Sequence, residues 1–281
     1  MRMEEVFLIG LGLIWIIFAV VQDLRKREIA NWLNFSLVVF ALAFRLFFSL
    51  FKGEGFDFFY QGFIGFAIFF ILGNLFYYGR VFAGGDAKLM IALGAVLPLF
   101  SNFPLNFNLF LEFLLFFLVV GAIYGFVFGG VLALKNKKRF KKEFSKQFKK
   151  SKKIIYFVVF LSVLFMGLAF FDLLFLYLSI LFFVSPYFYV CAKAIDEACM
   201  VKKVDTNLLT EGDWLYLNVK IGKKIIEAKW SGLTKYELAL LRKNKKNVLI
   251  RQGIPFSPVF LISYVCVFLI YFLFGGIKVF F

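Results

Sequence analysis

The sequence predicts an α-helical polytopic membrane protein of about eight transmembrane helices, with a small cytosolic α+β insert before the last one. Three observations predict it. Of the 281 residues, 62% are hydrophobic and 45 are Phe, and the mean hydropathy is +0.87, far from the roughly half-apolar mix of a soluble domain. Apolar runs of spanning length recur along the whole chain. Lys and Arg gather in a few blocks between those runs, as they do in cytoplasmic loops.

In order, the apolar runs are 6–23, 32–51, 60–78, 86–101, 108–134, 154–171, 173–191 and 257–276. No small-residue cleavage site follows the first, which is therefore expected to remain as a helix rather than leave as a signal peptide. The stretch from Ile154 to Val190 is long enough for two spans, and Phe171-Asp172, its only polar interruption, divides it. With the N-terminus outside, the cytoplasmic segments collect all of the 33 basic residues except Arg2, Arg45, Lys52 and Lys278. That agreement favours eight spans over seven.

The chain is accordingly divided into a membrane region of five helices (1–134), a basic cytosolic loop (135–153), two further transmembrane helices (154–191), a small cytosolic α+β domain (192–256) and a final transmembrane helix (257–281). In the insert, alternation over 214–220, then Gly222, then Ile225-Ile226 reads as strand, turn, strand. Thr234 followed three residues on by Glu237 is a capping box opening a helix over 233–242. Glu211 and Asp213 read as a solvated turn.

The net charge of +16 is read as a topology signal and an attraction to anionic lipid head groups, not as a nucleic-acid surface. The run Lys135 to Lys153 is expected to be a solvated or lipid-surface linker. Three cysteines without a CxxC pair suggest neither a disulfide framework nor a zinc site, and histidine is absent. Nucleophile–histidine pairs and the usual metal ligands are thereby excluded, so proton transfer must rest on carboxylates, Lys, Tyr or Cys. No cofactor is implied.

Ionisable groups in spans are costly, and those that persist are candidates for function. Asp23, Asp86, Glu112 and Asp172 lie in or beside spans, and the topology puts only Asp23 and Asp86 together, at the cytoplasmic edge. Two carboxyls that meet at one depth favour one protonated and one ionised group, a pair that can activate water against a peptide carbonyl with no metal. Asp86 follows Gly84-Gly85 at a helix entry, where paired glycines permit close backbone approach and a helix N-terminus favours an anion. Lys88 is expected to reach toward lipid phosphate, and Asn31 to cap the second helix.

The run Phe82-Ala83-Gly84-Gly85-Asp86-Ala87-Lys88 and its Ala-Leu-Gly continuation resembles the GxGD motif of the type IV prepilin peptidases, with Ala83 in place of the first glycine. Asp23-Leu24-Arg25-Lys26-Arg27-Glu28-Ile29-Ala30-Asn31 resembles the first aspartate motif of the archaeal members, with Ala30 where Pro is usual. Leu209 to Trp214, Gly232-Leu233-Thr234 and Gly253-Ile254-Pro255-Phe256-Ser257-Pro258 look like the insert and last helix of archaeal prepilin and preflagellin (archaellin) peptidases.

The resemblance implies a membrane aspartyl endopeptidase with Asp23 and Asp86 as its catalytic pair. It would cut the short basic leader from prepilin or prearchaellin precursors at the cytoplasmic edge. The cysteine-rich N-terminal loop of methylating bacterial members is not found, so no methyl transfer is expected. A presenilin-like protease ranks lower, since neither its Tyr-Asp partner motif nor a Pro-Ala-Leu run occurs. A transporter or scaffold using the two acids as an ion site is the non-enzymatic alternative.

Overall fold

The computed structural model describes residues 2–52, 55–222, 224–244 and 247–274. Lys278 and the end of the expected last span, 275–276, lie outside them. Ten α-helices and five strands are described: α1 (Met3–Lys26), α2 (Asn31–Lys52), α3 (Asp57–Tyr78), α4 (Gly84–Val96), α5 (Phe103–Lys135), α6 (Lys137–Lys150), α7 (Lys152–Leu168), α8 (Leu173–Ile195), β1 (Val201–Asp205), β2 (Trp214–Leu215), β3 (Val219–Ile221), β4 (Lys224–Ile226), α9 (Lys235–Asn244), β5 (Asn247–Arg251) and α10 (Ser257–Phe274). Among the described residues five helices are long and apolar enough to cross a membrane, or up to six if α6 and α7, bent by 71°, form one span. α10 is apolar but shorter. The expected fourth span, 86–101, is a helix of 13 residues, because Pro98 and the turn to Asn106 end it early.

The chain forms two compact units, residues 1–125 with 255–281, and residues 126–254. The first has the polarity of a bundle in lipid. Its outer faces carry Phe18, Val39, Phe47 and Ile71, while Asn34, Arg45, Gln61 and Asn106 are buried. Buried polar groups inside a bilayer must find partners within the protein. Asn106 does so at the α4–α5 turn: its Oδ1 accepts the N–H groups of Leu99 and Phe100, and its Nδ2 donates to Gln61 Oε1.

Arg45 departs from expectation. Assigned to the far side among the residual basic residues, it is fully buried. Its guanidinium donates to the backbone carbonyls of Phe58, Ala95, Val96 and Pro98 and lies 4.6 Å over the Phe58 ring. The carbonyls at a helix end have no intrahelical partner, and Arg offers five donors in a fixed fork.

The closest packing is α3 on α4. A Cβ on Gly94 would stand 2.5 Å from Phe69 Cβ and 2.6 Å from the Gly65 carbonyl, and a Cβ on Gly65 would strike the Gly94 carbonyl. Small residues at such crossings let helix backbones touch where no hydrophobic effect drives association.

In the second unit the break expected at Phe171-Asp172 separates α7 from α8. Asp172 is the N-cap of α8, accepting the Leu174 N–H at 2.8 Å. The expected loop 135–153 is instead mostly helix α6. Phe140, Phe144 and Phe148 recur every four residues, stack at 5.8 and 6.3 Å and continue onto Tyr187 of α8 at 6.4 Å. An apolar stripe at helical period outweighs the repulsion of the flanking lysines.

The insert holds a three-stranded antiparallel sheet of order β1-β5-β2 and a β3–β4 hairpin turning at Gly222. The stretch 214–220 is thus two short strands, not one. Glu197 accepts from Tyr216 Oη at 2.6 Å and Arg251 Nη2 at 3.1 Å. The quoted segments 209–214 and 232–234 meet directly. Gly212 N–H donates to the Leu233 carbonyl and Leu233 N–H to the Asp213 carbonyl, and a Cβ on Gly232, whose φ is +75°, would strike the Gly212 backbone. The Asp213 carboxylate accepts the Thr210 N–H at 2.8 Å, as a turn acid does.

The capping box is present. Glu237 Oε2 accepts Thr234 N–H at 2.9 Å, and Thr234 Oγ1 accepts Glu237 N–H at 3.3 Å. The Thr234 backbone N–H holds the Glu237 carboxyl below the ordinary glutamate range.

Two outcomes follow for stability. Gly94→Ala lowers the melting temperature in detergent, because neither Phe69 Cβ nor a backbone carbonyl can step aside; an unchanged melting temperature would contradict this packing. Thr234→Ala destabilises the insert by about 1 kcal/mol in urea titrations that follow the fluorescence of Trp214 and Trp230, whose rings stack at 4.2 Å. Because the Glu237 pKa is depressed on folding, its contribution is complete above about pH 4.3 and is lost as pH falls through the lower folded value. The difference between wild type and Glu237→Gln should shrink over that range.

Candidate active site

Asp23 stands one turn before the end of α1. Arg27, in the left-handed conformation at φ 60°, closes that helix by donating its N–H to the Asp23 carbonyl at 2.8 Å. The Asp23 side chain is 7% exposed and its Oδ2 accepts the Ser257 N–H at 3.2 Å. Ser257 is the first residue of α10, so the positive end of that helix faces the carboxylate. The Ser257 hydroxyl is buried without a hydrogen-bond partner.

Asp86 is the third residue of α4, 9% exposed, and its carboxylate accepts the backbone N–H of Ala83, the N-cap residue. Half a capping box is thus formed by an acid instead of the usual Glu or Gln. Asp23 lies within electrostatic range of Asp86. Of the four carboxylates considered, these two are brought together; Glu112 is buried along α5 and Asp172 caps α8.

The two glycines differ in role. A Cβ on Gly85 would lie 3.3 Å from Ile29 Cβ, in the segment joining α1 to α2, so Gly85 lets the two aspartate motifs touch. Gly84 faces Tyr77 at an ordinary 3.8 Å. Lys88 and Asn31 correct the expectations for them. Lys88 Nζ donates to Asn31 Oδ1 at 2.6 Å, pinning the first turn of α4 to the first turn of α2. Asn31 lies inside α2 as its first residue, and a side chain spent on Lys88 does not serve as the expected cap.

Aromatic rings close the rear of the site. Phe82, buried just before the motif glycines, lies 5.6 Å from Phe117 and 6.0 Å from both Phe256 and Phe260, and Phe117 lies 4.7 Å from Phe260. Gly121 gives the Phe256 ring room at 3.1 Å from its would-be Cβ. Tyr124 Oη donates to the Pro255 carbonyl at 2.9 Å, fixing the approach to α10. Sequence reasoning missed Phe82, Phe117, Tyr124 and the Ser257 N–H as parts of the site. The signal for Ser257 was present in the Ile254-Pro255-Phe256-Ser257-Pro258 run, where Pro opens a helix.

The segment that carries these two acids is similar to known proteins. Residues 10–132 match the type IV leader peptidase family. The matched stretch contains Asp23, Asp86 and the helices α2 and α3 between them. Three curated relatives, each named preflagellin peptidase, are similar over part of the chain. That of Methanococcus maripaludis is 36% identical over 90 residues, that of Methanocaldococcus jannaschii 34% over 95, and that of Methanococcus voltae 30% over 96. These alignments cover 32 to 34% of this chain and 38 to 40% of the relatives' own lengths. No solved structure matches.

Proposed function

We propose that this protein is a membrane aspartyl endopeptidase that removes the short basic leader from type IV prepilin-like precursors, or from prearchaellins, without methylating the new N-terminus. The observation that carries this reading is the burial of Asp23 and Asp86 together where α1, α4 and α10 meet. The match of that segment to the leader peptidase family, and the names of the relatives, support the substrate class. The positive-block topology supports eight spans with the site at the cytoplasmic edge, where a basic leader stays outside the bilayer and the apolar segment enters it.

The chemistry needs one ionised and one protonated carboxyl. The ionised one takes a proton from a water as that oxygen attacks the scissile carbonyl carbon, and the protonated one gives its proton to the carbonyl oxygen. When the C–N bond breaks, the amine nitrogen leaves with a proton from the first carboxyl and the hydroxyl proton returns to the second, so the pair is restored. Asp23 and Asp86 share these two roles, with the Ser257 N–H orienting the Asp23 carboxyl. The aromatic cluster keeps bulk water from the rear of the site, where fixed charges then act at low dielectric.

Asp23→Asn and Asp86→Asn should each lower cleavage of a prepilin in detergent micelles about a thousandfold with the protein still folded. Cleavage persisting in either variant would sink the dyad, and ion movement in liposomes without any cleavage would favour the transporter reading. Ser257→Pro removes the N–H aimed at Asp23 at a helix position that tolerates Pro. It should cut kcat about ten- to a hundredfold with little change in KM, whereas a merely structural role would leave kcat intact in the folded fraction.

A further inference from the structure

A pocket of about 450 Å³ opens between the first turns of α2 and α4 and the last turns of α3. Phe35, Val38, Phe66, Phe70 and Ile91 give it apolar walls. Gly84, Ala87 and Lys88 also line it, and Asp86 falls between them on α4. The pocket thus runs along the face of the first two turns of α4 next to the one that carries Asp86.

Asn74, Tyr77 and Tyr78 line it as well, and among its polar groups Asn34 is set apart by its burial. Asn34 is 2% exposed, and neither its Nδ2 nor its Oδ1 has a hydrogen-bond partner. A buried amide left in this state costs free energy that an apolar residue of similar size would avoid. Its satisfaction requires a partner offering an acceptor and a donor side by side. A lipid acyl chain offers neither and a glycerol ester only accepts. A peptide unit of an extended chain offers both.

We propose that this pocket receives the extended apolar stretch that follows the scissile bond of the precursor, with Asn34 pairing with one of its peptide groups. This deepens the peptidase reading and rests on it. The apolar walls suit the mature side of the cut. The basic leader is disfavoured there, because the Lys88 ammonium, held by Asn31 at 2.6 Å, stands at the rim. Binding an unwound segment beside Asp86 would expose a backbone carbonyl that a helix keeps hydrogen-bonded.

The full-length protein in micelles tests this in two ways. Asn34→Leu should raise KM for a precursor about tenfold with a smaller change in kcat, while the melting temperature stays level or rises, since an unpaired amide has been removed. A lower melting temperature with unchanged KM would make Asn34 structural and overturn the proposal. Independently, a precursor carrying benzoylphenylalanine at the second or third residue after the scissile bond should photo-crosslink to Phe35, Phe70 or Ile91. That arm decides alone if Asn34→Leu does not fold. Cross-links confined to other helices, or a co-purifying phospholipid that the precursor does not displace from these residues, would overturn the proposal while leaving the dyad standing. Failure of the unmodified protein to cleave any precursor would remove the peptidase reading, and this inference with it.

Discussion

The architecture of the first unit depends on a buried cation held by backbone carbonyls. Arg45 reaches across from α2 to the carbonyls of Ala95, Val96 and Pro98 at the end of α4, and to that of Phe58 at the start of α3. α4 has only 13 residues, so the point where its far end is tied determines where its first turn stands. Lys88 ties that first turn to Asn31. α4 is thus held at both ends by α2, and Gly62 clears space for the Arg45 stem, with a would-be Cβ 2.5 Å from Arg45 Cδ. In water the terminal carbonyls could be solvated; in a bilayer the guanidinium is their solvent.

A short helix held at both ends is what a two-acid site needs. Asp86 is presented by the entry of α4 and Asp23 by the exit of α1, and the touch between Gly85 and Ile29 sets how near those two ends come. The third contributor, α10, brings a backbone N–H that every residue except proline would supply at that position. The aromatic rings of Phe82, Phe117, Phe256 and Phe260 fix the angle at which α10 arrives.

Much of this was legible in the sequence because it rests on local rules. Apolar runs marked the helices, Asp172 marked the break between α7 and α8, and Thr234 with Glu237 marked the start of α9. The acids stood out because they are rare where they lie. What escaped did so for particular physical reasons. Arg45 was counted as a flanking charge, since topology rules weigh loop charges and do not foresee a basic residue saturated by carbonyls. α6 was hidden by its lysines, although Phe140, Phe144 and Phe148 carried the helical period. Asn34 looks like any polar residue near a span's end until the packing around it leaves its amide unpaired. Ser257 contributes through its main chain, which has no signature in side-chain chemistry.

The bond between Asp23 and Ser257 joins residues 234 positions apart. During synthesis the carboxylate is made early and its amide partner arrives only with α10. Until α10 is in place Asp23 lacks that contact, so this bond closes only after all the helices between α1 and α10 have been made. The order in which the helices are made is thus also the order in which the surroundings of Asp23 are built.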